Sequence, residues 1–474
     1  MRTLAAVLTA ACAAIAAAPA GAQVDGNTIG PDYVTSPNVQ YLGSLKADVG
    51  QTTGARIVGK KLYVTSAKNV GIYDISDPEH PNPIGSYAIN LGWENEEVPT
   101  DGKILGVSSD WFNLMPSCNI PSPQVTGCQQ FFDVRDPSNI KELGAVPANH
   151  DHTADCVLDC SYLFGNRGNI TDLRGALDGT KPPTNIGNWQ KPILAQMHLD
   201  KFANGCHHIR EIKPGYLFAA CEPFVYFRVV GKNASILNPV LIADGRNSDN
   251  RFIHSVRWPR EGKDKFALIG GETNFSVTRH PGTQCDGSSD AAFMTVDATH
   301  VAETGQFSKP IDEYRPKSGQ YVDGNTPTEI AGCSVHWYQE HPSFHNGGLV
   351  ALAAYDNGIR FLQVKPNGQI VEQGYFQPLG FETSSPKWVP GTNIVYSIDY
   401  ARGIDILKWN GDTYVPNAHG KVVHQKSRIR GTNGKQPILP ALTPKQKAFA
   451  TREVSLLHKQ GWFQGYCELA ANRA

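Results

Sequence analysis

Histidines open several short alternating segments in the middle of this 474-residue chain. Five such segments align: HTADC (152–156), HHIRE (207–211), HSVRW (254–258), CSVHW (333–337) and SSPKW (384–388). The first column then holds His152, His207, His254, Cys333 and Ser384. The fourth holds Asp155, Arg210, Arg257, His336 and Lys387, and Arg56 and Glu97 extend it from earlier segments. Neutral imidazoles that converge offer nitrogen lone pairs to a divalent transition metal. Imidazole suits zinc, copper, iron and nickel. The expectation is a metal, copper, iron or zinc, on His152, His207 and His254, with His336 approaching from another strand. His150, His198 and His208 are further candidates for ligands or supports. Glu222 in ACEPF and Glu272 in GGETNF are placed to orient a ligand or accept a proton. The same histidines also suit a hydrated polar lining, and a slip of one residue in a strand exchanges its faces. No G-x-S-x-G elbow, Walker loop or H-E-x-x-H motif occurs in the chain.

Residues far apart in sequence converge only if repeated elements carry them to one axis. Residues 54–86 read GARIVGKKLYVTSAKNVGIYDISDPEHPNPIGS, alternating strands followed by Asp-Pro and a Pro-x-x-Gly turn. Partial copies follow at 129–145 (QQFFDVRDPSNIKELGA), 349–374 and 394–408. A period of about 40–60 residues with four strands per unit predicts a propeller. Units begin near Thr53, Glu94, His152, His207, His254, Cys333 and Ser384. The last unit lacks a fourth strand, and residues 39–46 (VQYLGSLK) supply one from the N-terminal side. The prediction is an all-β, seven-bladed β-propeller over 23–410, closed by an N-terminal strand and followed by a partly helical extension, 411–474. Strand closure of this kind removes the exposed edges of a sheet. High glycine and proline content, 46 and 32 residues, fits many tight turns. The Asp-Pro segments read as strand-end turns rather than calcium loops.

These units resemble the LVIVD-repeat family of secreted β-propellers. The resemblance rests on VGIYDISDPEHPNPIGSY, FFDVRDPSNIKELG and YSIDYARGIDILK and covers roughly 54–410. It implies the fold and a secreted location, and says little of function, because one fold serves many chemistries.

The leader MRTLAAVLTAACAAIAAAPAGAQ has one charge, Arg2, an apolar run and a small-residue Ala20-Gly21-Ala22 site. It predicts a signal peptide cut after Ala22 and a secreted or periplasmic protein. Of the 10 cysteines, Cys12 lies in that leader. In an oxidising compartment the others favour disulfides. Neighbouring pairs are Cys118 with Cys128, Cys156 with Cys160, Cys206 with Cys221, and Cys285 with Cys333; connectivity is open, and Cys467 is left over. No later stretch is apolar enough for a transmembrane segment. A net charge of −1 argues against a nucleic-acid binder. Three functions fit. One is an interaction module taking a protein or small-molecule ligand at the top face or in the central channel, which needs no catalytic motif. Another is a metalloenzyme, an oxidoreductase or hydrolase, on the axial histidines. The third is a cell-envelope component docked by its basic tail.

Overall fold

The computed structural model describes residues 22–24, 27–30, 32–45, 52–66, 69–89, 96–109, 128–147, 153–203, 205–246, 252–272, 291–317, 320–321, 334–379, 383–400, 402–416, 422–429, 431–432, 438–439, 444–445 and 448. Seven antiparallel sheets follow one another along the chain. Blade 1 comprises Thr52–Val58, Lys61–Ser66, Asn69–Asp74 and Asn82–Ala88. Blade 2 comprises Ile104–Ser109, Cys128–Asp133 and Lys141–Pro147, with 96–100 innermost through a bridge between Thr100 and Leu105. Blades 3, 4 and 5 begin with Ala154–Val157, Cys206–Lys213 and Ile253–Arg257. Blade 6 begins with Tyr338–Glu340 and blade 7 with Thr383–Trp388. Val39–Leu45 pairs with Gly403–Trp409 and completes blade 7. The chain is a seven-bladed β-propeller.

The ring is held by its interfaces. Buried apolar residues fall into seven clusters, one for each pair of adjacent blades. One cluster joins blade 7 to blade 1 through Ile394, Ile404 and Ile406 against Ala55, Leu62 and Val64. A closed ring therefore buries both faces of every blade, which is why the strands read as near-continuous apolar runs. Arg402 reinforces closure. Its guanidinium donates to Asp405 Oδ2 at 2.7 Å and Oδ1 at 2.9 Å, and to Asp32 Oδ2 at 2.6 Å, tying blade 7 to the segment before the closing strand.

The repeat motif has a local physical cause. Asp74 Oδ1 accepts from the Ser76 amide and Asp77 Oδ1 from the Glu79 amide. Asp133 and Asp136 repeat this with Arg135 and Ser138. Each Asp mimics a backbone turn, so two in succession reverse the chain into the fourth strand. That strand then carries a bulge, at Ile84 opposite Ile72 and Tyr73 in blade 1 and at Leu143 opposite Phe131 and Phe132 in blade 2. A glycine follows the bulged residue: Gly85, Gly144 and, in the closing strand, Gly43. At Gly85 the reason is contact, since a Cβ there would lie 2.1 Å from the Pro137 carbonyl oxygen of blade 2.

Three strands lie outside the expected plan. Tyr33–Thr35 adds to the outer edge of blade 6 by pairing with Ile370–Pro378, and Asn27–Ile29 and Ala22–Val24 continue outward. The C-terminal extension carries a hairpin, Thr413–Pro416 with Val422–Gln425, and a strand, Ile438–Leu439, parallel to Gln320–Tyr321. Its polar, basic first part thus contains short strands. Leader residues 1–21 and most of the expected terminal helix lie outside the described residues. Among the described residues no helix is long and apolar enough to cross a membrane.

Disulfides join Cys156 to Cys160 and Cys206 to Cys221. Cys128 is also disulfide-bonded. Cys118, Cys285 and Cys333 lie outside the described residues.

Gly85→Ala is expected to lower stability by about 1–3 kcal/mol through overpacking against rigid main chain. Gly59→Ala, with φ +58° and nothing within 4 Å of its Cβ, is the control and reports backbone strain alone. Urea unfolding of both checks this; equal losses would remove the interblade contact as the motif's cause.

Candidate axial metal centre

The innermost strands turn selected side chains to the axis with a second kind of bulge. In blade 4, Cys206 pairs with Cys221 and His208 with Ala220, so His207 has no cross-strand partner. In blade 5, Ile253 pairs with Gly271 and Ser255 with Gly270, which leaves His254 as the extra residue. Blade 1 skips Thr53 and blade 7 skips Ser384 in the same way. A bulge puts two residues opposite one and re-aims the extra side chain. Blade 6 does this at His336. Its amide donates to the Ala353 carbonyl at 3.0 Å, and the Ala353 amide returns a bond to Trp337 at 2.8 Å.

This corrects the sequence alignment at one place. CSVHW sets His336 beside Arg257 in the charged column. The structure sets it with His254, three positions out of that register: the ring centroids of His254 lie 4.4 Å from His336 and 3.8 Å from His207. A strand that starts late, at Tyr338, cannot be registered from its sequence alone.

The three imidazoles surround a carboxylate that the sequence did not single out. Glu96 Oε2 lies 3.6 Å from His207 Nε2 and 3.5 Å from His254 Nε2. Its Oε1 lies 2.8 Å from His336 Nε2. The Trp337 indole donates to Oε2 and the Tyr400 hydroxyl to Oε1, both at 3.1 Å. Glu272 Oε2 stands 3.9 Å from His254 Nε2, and the Tyr355 hydroxyl donates to Glu272 Oε1. All three imidazole side chains are at most 3% exposed, and Glu96 is fully buried. Burial works against a charge on Glu96, but the neighbouring imidazoles, His336 first, hold its pKa well below the ordinary carboxylate value. Burial likewise opposes a charge on His336. Glu96 and then Glu272 outweigh it and raise the imidazole above its usual value.

Donor groups therefore fall in two sets, Glu96 with His254 and His336, and His207 with His254 and Glu272, each with its ligand atoms within 4.8 Å of one another. Ligands of a tetrahedral ion bound at about 2.1 Å stand roughly 3.4 Å apart. The separations from Glu96 Oε2 to His207 and His254 match that edge closely. His336 Nδ1 is held by the Ser384 carbonyl at 2.8 Å, which directs Nε2 inward. Metal-binding histidines are oriented by such a partner on the other nitrogen.

The remaining site residues divide. His208 is buried but belongs to the next layer. Its Nδ1 accepts from the Val256 amide at 3.3 Å, and its ring packs against Trp337. Burial keeps it neutral, well below the ordinary histidine pKa, with Glu97 opposing and Arg210 and Arg257 assisting. Glu222 is buried. His198 caps a surface helix, Gln190–Met197. His150 and His152 lie outside the described residues. Glu96, Trp337, Tyr355 and Tyr400 went unnoticed; the one signal was the doubled acid in ENEEVP (94–99), where only Glu97 was placed in the channel.

No family model matches the chain, and no curated protein matches it. Solved structures do. The chain is similar to the β-propeller domain of Myceliophteria thermophila Cps50 (Swd1), at 12% identity and a TM-score of 0.48, over 78% of this chain and 99% of that one. It is also similar to Chaetomium thermophilum Raptor, at 10% identity and a TM-score of 0.47, over 80% of this chain and 30% of that one.

The neighbouring layer holds the charged column. Arg56 pairs with Asp155, and Lys387 Nζ with Glu97 at 3.2 Å. Arg257 pairs with Glu340 at 3.4 Å. Burial disfavours ionisation of Glu97, yet Lys387 first, with Arg210 and Arg257, brings its pKa down to about 2. Burial lowers Lys387 to about 8, against the pull of Glu97. Glu211 is pushed by burial up to about 7, although the Gly215 and Leu158 amides both donate to it.

Glu211 gives a pH signature. Its folded pKa exceeds its unfolded one, so the folded state binds the proton more tightly. Stability then falls as pH rises from the unfolded value toward about 7, and the whole penalty is present above it. Glu211→Gln keeps the acceptor oxygen and removes the charge. Its urea midpoint should match the native chain near pH 5 and exceed it near pH 8. A difference that does not change with pH would contradict the assignment.

Proposed function

We propose that this propeller is a metal-dependent enzyme acting on a small molecule. His207, His254 and His336 hold a divalent transition ion through Nε2, and Glu96 is the fourth ligand. The carrying observation is the gathering of three imidazoles and one carboxylate from four blades, with the ligand atoms of Glu96, His254 and His336 within 4.8 Å of one another and His207 Nε2 3.6 Å from Glu96 Oε2. Nitrogen-rich donors with one carboxylate suit iron, copper or zinc. When bound, such an ion supplies Lewis acidity or redox capacity. The chain supplies the rest. The Ser384 carbonyl sets the ring of His336, and Trp337 and Tyr400 fix the Glu96 carboxylate. Glu272, held by Tyr355, stands 3.9 Å from His254 Nε2, where its carboxylate would accept a proton. Burial of all these groups strengthens their electrostatics by keeping water out.

The disulfides support an oxidising compartment, and secretion with removal of the leader belongs to this proposal. So does membership of the LVIVD-repeat family. The fold is equally compatible with an interaction module, and the two readings part on metal content.

The full-length chain, produced with its leader and purified without a histidine tag, should carry near-stoichiometric iron, copper or zinc by elemental analysis. A His207→Ala/His254→Ala/His336→Ala variant should lose it. Added ion should raise the melting temperature of metal-stripped native chain and leave the folded variant unmoved. No uptake of any of the three ions by the native chain would refute the enzyme reading.

A further inference from the structure

Among the described residues, one cation of the charged layer next to the histidines has no carboxylate partner. Four cationic side chains line it: Arg56, Arg210, Arg257 and Lys387. Three have carboxylate partners, Asp155, Glu340 and Glu97 respectively. The carboxylate nearest in sequence, Glu211, is occupied by two main-chain amides, at 2.6 Å from Gly215 and 3.1 Å from Leu158. Asp155 spends its second oxygen on the Glu211 amide at 3.0 Å. His208 is neutral and offers no charge. The Arg210 guanidinium makes no ion pair and no side-chain hydrogen bond among the described residues.

An arginine set against other cations costs stability, because like charges repel and burial strips its water. Here burial first, then Arg257 and Arg56, bring the Arg210 pKa down to about 10. Arg56 and Arg210 are half-buried, whereas Lys387, Glu97 and Arg257 are nearly sealed. Solvent thus reaches the layer where the unpaired charge lies. A guanidinium presents donors in a planar fork matched to a carboxylate or phosphate group.

We propose that this layer is the binding site of a small oxyanion, a carboxylate or phosphate group, held by Arg210 with Arg56 and Arg257 beside it. The site stands independently of the metal. It is built from other side chains, and it faces the channel on the side of Glu97 rather than Glu96. An anion there completes the one-to-one pairing of charges that the layer otherwise lacks. It also defines the ligand chemistry of the channel as anionic.

Titration calorimetry of the full chain with inorganic phosphate, and separately with succinate, tests this at fixed ionic strength. The native chain should bind at least one of them. Arg210→Gln should bind at least about tenfold more weakly, the loss expected for a charge-assisted bidentate contact. Arg210→Lys, which keeps the charge without the fork, should fall between. Without anion, Arg210→Gln should melt no lower than the native chain, because it removes an uncompensated cation. His254→Ala should keep the anion affinity. Absence of binding in the native chain, or unchanged affinity in Arg210→Gln, would overturn the proposal. So would a lower melting temperature of Arg210→Gln with affinity retained, which marks Arg210 as structural. Loss of binding in a folded His254→Ala would place the anion on the metal instead, and would also overturn it.

Discussion

Glu96 is a carboxylate without water, and the axis of the propeller is organised around that condition. An unpaired charge in such a place would shift its pKa and neutralise. Here five side chains answer it: His207 from blade 4, His254 from blade 5, His336 and Trp337 from blade 6, and Tyr400 from blade 7. None of these blades meets the charge by local sequence. They meet it because seven apolar interfaces close the ring and fix the distance of every inner strand from the axis.

The inner-strand bulge is the device that turns closure into chemistry. A regular strand alternates its side chains between the two interblade faces, and both are apolar here. The edge that faces the channel receives no side chain from perfect alternation. Inserting one residue at His207, His254 and, by its hydrogen bonds, His336 aims a side chain along the strand's edge and into the channel. The carbonyl of the bulged residue is then taken up by a neighbouring blade. Thr153 donates to the His207 carbonyl, Ser255 to that of His336 and His336 Nδ1 to that of Ser384. Blades 3, 5 and 6 thus orient the axial residue of the next blade, and Thr153, Ser255 and His336 act as interblade couplers.

Much of this was legible in the sequence. The Asp-Pro turns and the glycine after the bulge recur because each blade must pack its turn against its neighbour, so the repeat and the closing strand could be read. The first-column histidines could be read because the bulge falls at the same place in blades 4 and 5. His336 was misplaced because blade 6 enters the sheet late and its bulge has no counterpart in the CSVHW pattern. Glu96 was missed for a different reason. It lies on an irregular segment, 96–99, that forms no ladder, so no periodicity marks which of two adjacent acids faces which layer. Arg210 was read as part of a charged ring; that it has no carboxylate partner among the described residues is a fact of three dimensions, since pairing depends on residues up to 290 positions apart, as for Glu97 and Lys387.

The adjacency of Glu96 and Glu97 links the two layers. Successive residues of an extended segment point in opposite directions. One carboxylate therefore enters the histidine layer and the other the cationic layer, from a single stretch of blade 2. With a divalent ion in place, the upper layer balances two plus charges against Glu96 and Glu272. The lower layer pairs Glu97, Asp155 and Glu340 with Lys387, Arg56 and Arg257, and Arg210 has no such partner among the described residues. A segment anchored in both layers cannot shift toward one without pulling a charge from the other.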